Sequence, residues 1–564
     1  MHRDLWVIVA VTGALLAPFA TKAFHVDDPL YLWGARHILS EPLRPYDFSV
    51  NWAGNPEISM WRETKNPPLM CYWLAAGIAL FGERELPLHL WALPFALLAA
   101  VSMYFLARRH VKRPLWPTLA LIVCPGFLVS ATSVMADVPA LALLLAGYVL
   151  FIEGVERRWP VLAALGALAL GAAALTKYMA IGGVGLAALS VLLRRRGDLR
   201  ALLWLLVPVG LFTLWGLYGV LTHGQPHFAQ ATGFSMQHMG GLSLTARGIA
   251  ALSFIGGCAV WPIVLAWPML KPKKGTGTFF AQHPKGLQAK CTCTFFRCAG
   301  AAIVAAACCA AVALVGSRLY PTGATLPWQG HVTLFFFVFG GAAGIWLAVA
   351  GLRKREEGRL TLSLWLFGVL IFAVFLNWMV NARTILFLLP PLAILSWQAM
   401  ESWSCRGSRV LGGAAIGLSA AVSLLMALTD LRMANSYRTI ASQIAYAEGR
   451  VLFPSHWGFQ YYMERRGFLP MDFRHGGMRR EDLIVTAEIA TASSAWFGLM
   501  NQLQLVSVEE MFWPLRLHTM DPWSGSGFYA SYYGPLPYGV GSAMLERFRF
   551  YRLPEEATGD SMRR

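Results

Sequence analysis

Long apolar runs separated by short polar loops fill the first 430 residues of the chain. They fall near 5–23, 86–107, 114–131, 138–153, 160–176, 178–194, 200–221, 248–269, 299–316, 331–352, 360–378, 383–399 and 410–429. A helix needs about 20 apolar residues to cross a hydrocarbon core of ~30 Å, so the pattern predicts about thirteen transmembrane helices. A shorter run, 69–81, covers only ~20 Å as a helix and reads as a juxtamembrane or re-entrant segment. From 431 onward the pattern changes. RVLFPS (450–455) and DLIVTAEI (482–489) read as strands, WGFQYYMERRG as a short helix, and ERFRFYRL as a further strand-like piece. A Gly- and Tyr-rich segment, GSGFYASYYGPLPYGVG, lies before the last of these. The expected fold is an all-α polytopic membrane protein over 1–430 with a small C-terminal α/β domain over 431–564.

Composition agrees with this. Of 564 residues 56% are hydrophobic and 14% charged, against about 25% charged in soluble domains. The net charge of +17 does not point to nucleic acid, because the basic residues sit in clusters between apolar runs: Arg108-Arg109, Lys112-Arg113, Arg194-Arg195-Arg196, Lys271 to Lys274, and Arg353-Lys354-Arg355. With the N-terminus inside, nearly every such cluster becomes cytoplasmic, as the positive-inside rule asks. The same parity sends 24–85, 132–137, the 177–178 hairpin, 222–247, 317–330, 379–382 and the C-terminal domain to the outer, periplasmic side of a cell (inner) membrane. A cleaved signal peptide ending near Ala23 would leave that topology unchanged. The nine cysteines form no disulfide framework. Cys291, Cys293 and Cys298 lack the spacing of a common zinc finger, so free thiols are expected.

Ionisable residues concentrate on the predicted outer face. Asp27 and Asp28 follow the first span, where a carboxylate can accept the proton of an attacking hydroxyl. They also suit a divalent cation, although nothing requires one, or a helix N-cap beside Pro29. Asp137 stands at the mouth of a hairpin and could equally cap a helix. Lys177 interrupts a long apolar stretch, either snorkelling or offering a cation to a phosphate. Lys65 and Asn66 precede Pro67-Pro68, which fix the entry of the chain into 69–81. Arg383, in a tight turn, must pair, anchor a lipid head group or bind a ligand. Acids and cations on one face suit displacement of a phosphate leaving group from a sugar, with cations stabilising the charge that develops on it.

These residues resemble the GT-C-fold, polyprenyl-phosphate-sugar-dependent glycosyltransferases, among them the protein O-mannosyltransferases and lipid A aminoarabinose transferases. The similarity lies in DDPLYLWGARHIL, in KNPPLMCYWL followed by LFGERELPLHL, and in MADVPALAL, ALTKY and NARTILFLLP. It implies a catalytic loop over 24–85 and catalytic acids Asp27, Asp28 and Asp137. It implies a donor phosphate held by Lys177 and Arg383, with Lys65 or Asn66. Relatives that use lysine at the Pro-Pro motif often place it directly before the prolines; here Asn66 holds that position and Lys65 precedes it. The implied partners are a polyprenyl-phosphate sugar, membrane lipids, and an acceptor that is protein, lipid or glycan. A flippase of lipid-linked glycan, or a scaffold with an extracytoplasmic binding domain, remain the alternatives from other classes.

Overall fold

The computed structural model describes residues 1–52, 54–194, 199–239, 242–270, 325–353, 356–401, 407–445, 449–491 and 493–554. The expected span 299–316, the clusters around Lys271–Lys274 and Lys354-Arg355, and Cys291, Cys293, Cys298, Cys308, Cys309 and Cys405 lie outside the described residues. Each remaining apolar run forms a helix or a broken pair of helices. Eight are long and apolar enough to cross a membrane, and four apolar helices are shorter. Of the thirteen expected spans eight reach that length, 160–176 and 178–194 form shorter helices, 114–131 and 248–269 are broken, and 299–316 is the one outside the described residues. Two runs are interrupted: 114–131 divides into Leu115–Ile122 and Pro125–Ala131, and 248–269 into Leu244–Ala259 and Trp261–Leu270. Pro125 and Pro262 occupy the starts of the second pieces, where a residue without an N–H is tolerated.

The elements that position the site are few. Helix α1 (His2–Leu16) leads through a short turn to the amphipathic α2 (Asp28–Ser40). A hairpin of β1 (Ser49–Trp52) and β2 (Asn55–Ser59) follows, then α3 (Leu69–Phe81), the expected short helix at its expected bounds. Helix α4 (Glu85–Arg108), α5 (Asp137–Arg157) and α6 (Pro160–Thr176) form the adjoining part of the bundle. The α5–α6 pair packs with almost no space between backbones. A Cβ on Gly154 would lie 2.3 Å from Ala163 N, and one on Gly166 2.3 Å from Phe151 N. Small residues permit such approach where burying apolar side chains in lipid gives no advantage.

Three of the basic loops meet at one end of the bundle. Arg109 pairs with Glu153 at 2.9 Å and with Glu156, which also receives Arg194. Because α5 runs from Asp137 to Arg157, Asp137 stands at the opposite end.

The last helix, α7 (Gly407–Gln443), continues without a break past 430. Its 37 residues span ~55 Å, well beyond a hydrocarbon core. Its far end carries a mixed five-stranded sheet in the order β4 (Leu469–Pro470), β3 (Val451–Phe453), β5 (Leu483–Ala487), β7 (Met544–Arg552), β6 (Gln504–Phe512). Strands β3, β4 and β5 are parallel, and β7 runs antiparallel to both β5 and β6. Helix α8 (Trp457–Arg465) connects β3 to β4.

Tyr437 of α7 ties the sheet to the bundle by donating to Glu546 Oε2 at 2.9 Å. The N–H groups of Ile489 and Arg547 donate to Glu546 Oε1. Burial nevertheless pushes the Glu546 carboxyl up to about 8. An acid whose folded pKa is raised stabilises the fold below its unfolded pKa, and that contribution is lost as pH rises toward the folded value. The chain should therefore melt a few degrees lower at pH 9 than at pH 5.5. Glu546→Gln should flatten that slope in thermal unfolding followed by tryptophan fluorescence. An unchanged slope would show that the carboxyl is already ionised at low pH.

Candidate active site

The entry to α2 is strained. Val26 sits at φ +49, which a β-branched residue rarely adopts, and the two acids that follow are sent in different directions. Asp27 holds the N-cap position yet makes no capping bond. Its Oδ2 accepts from Arg383 Nη1 at 2.7 Å instead. Asp28 is fully buried, with Oδ2 accepting from His25 N–H (2.8 Å) and Oδ1 from Val134 N–H (3.0 Å). Burial raises the Asp28 carboxyl to about 7, against the downward pull of those two N–H groups and Lys22. Both of its oxygens are spent on backbone, so Asp28 clamps the first loop to the turn before α5.

Arg383 is delivered by a turn with its own supports. Helix Glu357–Ile371 ends in a π-helical turn, Phe372–Leu376, a local feature frequent at functional sites. Arg247 donates to the carbonyls that this opening frees, at Val374 (2.7 Å), Trp378 (2.9 Å) and Asn377. Asn381 then caps the short helix Ala382–Ile385 by accepting from Thr384 N–H at 2.8 Å. Arg383 Nε is buried and makes no hydrogen bond.

Helix α6 stops at Lys177, whose extended backbone (φ −152, ψ 125) interrupts the apolar stretch before a short 3-10 turn. Lys177 Nζ bonds Asp137 Oδ1 at the start of α5. Arg383 lies in the electrostatic field of Asp137 as well as that of Asp27. Residues distant in sequence thus form one cluster of two acids and two cations. Asp27 is 26% exposed and Asp137 only 3%, so Asp27 is the carboxylate that an incoming molecule can reach. Among the described residues no group of three His, Cys, Asp or Glu side chains is placed to hold a metal ion.

The Pro-Pro motif resolves into two placements. Asn66 Nδ2 donates to Tyr31 OH at 3.0 Å, and Tyr31 lies in the field of Asp137, Arg383 and Asp27. Asn66 therefore borders the cluster through Tyr31. Lys65 donates to Arg62 O and rests its ammonium 4.2 Å from the centre of the Phe234 ring. Its charge is engaged by an aromatic face, apart from the other cations.

Sequence reasoning missed a second, deeper network. Lys22 Nζ donates to Asp430 Oδ2 at 2.5 Å and to Thr132 Oγ1 at 3.0 Å, with both charged side chains fully buried. Asp430 also accepts from Tyr529 OH (2.7 Å) and Thr519 Oγ1 (3.0 Å). The Tyr529 ring centre is 5.9 Å from the Arg383 guanidinium. The Gly- and Tyr-rich segment thus forms a wall of the site. Phe528 O accepts from Ala382 N–H (2.9 Å), and Ser531 N–H donates to Val380 O (3.0 Å). A lysine ending the first apolar run and an acid ending the last were the available signals.

One family model matches the part of the chain that holds KNPPLMCYWL, MADVPALAL and ALTKY. Residues 65–231 match the family model of dolichyl-phosphate-mannose-protein mannosyltransferase. The match contains Lys65, Asn66, Asp137 and Lys177, whereas Asp27 and Arg383 lie outside it. That similarity extends over 167 of the chain's 564 residues. Among solved structures the chain is similar to ArnT from Cupriavidus metallidurans bound to undecaprenyl phosphate, with 16% identity, 89% of this chain and 95% of that one covered, and a TM-score of 0.42. It is similar to the Archaeoglobus fulgidus oligosaccharyltransferase complexed with zinc and sulfate, with 12% identity, 86% and 67% covered, and a TM-score of 0.47. It is also similar to arabinosyltransferase EmbB from Mycobacterium smegmatis, with 15% identity, 92% and 47% covered, and a TM-score of 0.34. Among curated proteins none matches the chain.

Removing one partner of a buried ion pair strands the other charge, at a cost of about 3–5 kcal/mol, whereas replacing both with apolar residues costs far less. Asp430→Leu should therefore lower the denaturation midpoint strongly. Adding Lys22→Met should recover much of the loss. Additive losses in such a double-mutant cycle would contradict the pairing.

Proposed function

We propose that the chain is an inverting glycosyltransferase that moves a sugar from a polyprenyl-phosphate carrier to an acceptor hydroxyl on the outer face of the membrane. The reading rests above all on Arg383. Its Nη1 holds the accessible carboxylate while its Nε is buried without a partner. Buried donors are seldom left unpaired, and an anionic oxygen would satisfy this one. Lys177, in the same cluster, supplies a second cation.

In the reaction Asp27 takes the proton of the acceptor hydroxyl, whose oxygen bonds to the anomeric carbon. The bond from that carbon to the phosphate oxygen breaks on the opposite side, which inverts the configuration. The electron pair stays on the leaving polyprenyl phosphate, and Arg383 and Lys177 balance the added charge. Asp137 holds Lys177 in place. Asp28, with both oxygens committed to backbone, keeps the loop in position. The meeting of three basic loops at the other end of the bundle supports the outward placement of this one. The acceptor is a protein, lipid or glycan hydroxyl.

The test is transfer from purified polyprenyl-phosphate sugars, scored by product and by anomeric configuration. Asp27→Asn should reduce kcat by about 10²–10⁴-fold with donor binding retained. Arg383→Ala should lose about 10²–10³-fold and weaken polyprenyl phosphate binding. Asp28→Asn should affect the melting temperature more than kcat. Full activity in Asp27→Asn, or a product of retained configuration, would overturn the mechanism.

A further inference from the structure

One surface beside the site has no role in the transfer step as derived. Residues Trp33, Arg36, His37 and Ser40 fall on one face of α2, following the i, i+3, i+4, i+7 spacing of a helix. Together with Phe48 and Asn51 of the loop and hairpin and Glu464 of α8, that face lines a groove of about 480 Å³, within the size range of small-ligand sites. The groove starts at Trp33, somewhat under two helical turns from Asp27, and extends along α2 to Ser40.

Its chemistry is specific. The rings of His37 and Phe48 lie 4.5 Å apart, while His37 Nε2 and Asn51 Oδ1 are buried without hydrogen-bond partners. Its arginine is already paired. Arg36 is held by both oxygens of Glu83 at 2.5 and 2.6 Å, and Glu464 accepts from Gln460 at 2.7 Å. Such a groove offers aromatic surface, unused neutral donors and acceptors and the Glu464 carboxylate, while its one arginine is already paired. A neutral sugar chain has matching needs, with C–H faces for aromatic rings and hydroxyls for orphan polar atoms. A phosphorylated head group would find no unpaired cation here.

A line of rings runs from the groove to His456. Trp33 meets Trp52 edge to face at 5.8 Å, and Trp52 meets His456 in the same way at 5.1 Å. His456 is 7% exposed, its Nδ1 is buried without a partner, and its ring feels the charge of Asp27. The backbone here is forced into place. Trp457 adopts φ +62, and a Cβ on Gly458 would lie 2.1 Å from Phe24 O, just ahead of Asp27 in the chain. A bulky residue with positive φ is costly and tends to persist where function demands it.

We infer that the groove and His456 form the acceptor site, which binds a neutral carbohydrate chain along α2 and presents one of its hydroxyls to Asp27 beside His456. This deepens the proposed transfer reaction and rests on it for the acceptor's destination, while carbohydrate binding by the groove stands separately.

The experiment uses the full chain in detergent. Neutral di- to tetrasaccharides of hexoses, N-acetylhexosamines and pentoses are the probes, with binding read by saturation-transfer NMR. At least one probe should bind. Ser49→Trp fills the groove from an exposed position, and Phe48→Ala removes an aromatic face. Both should weaken binding tenfold or more while polyprenyl phosphate still binds as in the wild type. In transfer assays Ser49→Trp should raise the acceptor KM and leave the donor KM unchanged, and His456→Ala should lower kcat. Absence of binding by every probe, wild-type binding in Ser49→Trp, or displacement of the probe by a Ser/Thr peptide acceptor would overturn the inference. Binding that Ser49→Trp abolishes, in a chain that transfers no sugar from any lipid donor, would uphold the groove and sink the transfer reaction. Transfer with an acceptor KM untouched by Ser49→Trp would do the reverse.

Discussion

Lys22 and Asp430 are separated by 408 residues and by almost the whole fold, yet they form an ion pair with no exposure on either side. Taking both charges out of water is expensive, and their attraction alone does not ensure a net gain. Here Thr132, Thr519 and Tyr529 fill the remaining hydrogen-bonding capacity. The result locates four pieces of chain against each other: the end of the first span, the turn before α5, the last helix and the C-terminal segment. Asp27 follows Lys22 by five residues, and Tyr529 lies against Arg383. The buried pair is thus the joint from which both halves of the Asp27–Arg383 contact are suspended.

That arrangement gives the C-terminal region a structural part in the site. Its backbone bonds the turn carrying Arg383 through Phe528 and Ser531, and its His456 feels the charge of Asp27. The cationic side of the cluster comes from helix ends, where Lys177 and Arg383 sit beside broken helices. The groove side comes from α2, the hairpin and α8. Under the proposed function, such a division assigns the charged phosphate to one face and a neutral ligand to the other, with Asp27, the more accessible acid of the cluster, between them.

Much of this was legible in the sequence because it rests on local patterns. Apolar runs gave the helices, α3 appeared at its expected bounds, and Asp27, Asp137, Lys177 and Arg383 were each conspicuous as ionisable groups at the ends of apolar runs. What escaped depended on long-range packing. Adjacent acids Asp27 and Asp28 look equivalent in sequence, and only the positions of Arg383 and Val134 separate them. Lys65 and Asn66 are likewise distinguished by Phe234 and Tyr31. Helix breaks at 123–124 and 260 divide runs that hydropathy alone reads as continuous. The Gly- and Tyr-rich segment has no period to read, so its docking on the bundle was invisible before the fold was known.

The most direct test is a structure of the chain with polyprenyl phosphate bound. The account predicts the phosphate within hydrogen-bonding distance of Arg383 Nε and Lys177 Nζ, with Asp27 facing the position of the sugar. A phosphate held instead by Lys65, with Arg383 engaged by Asp27 alone, would contradict it.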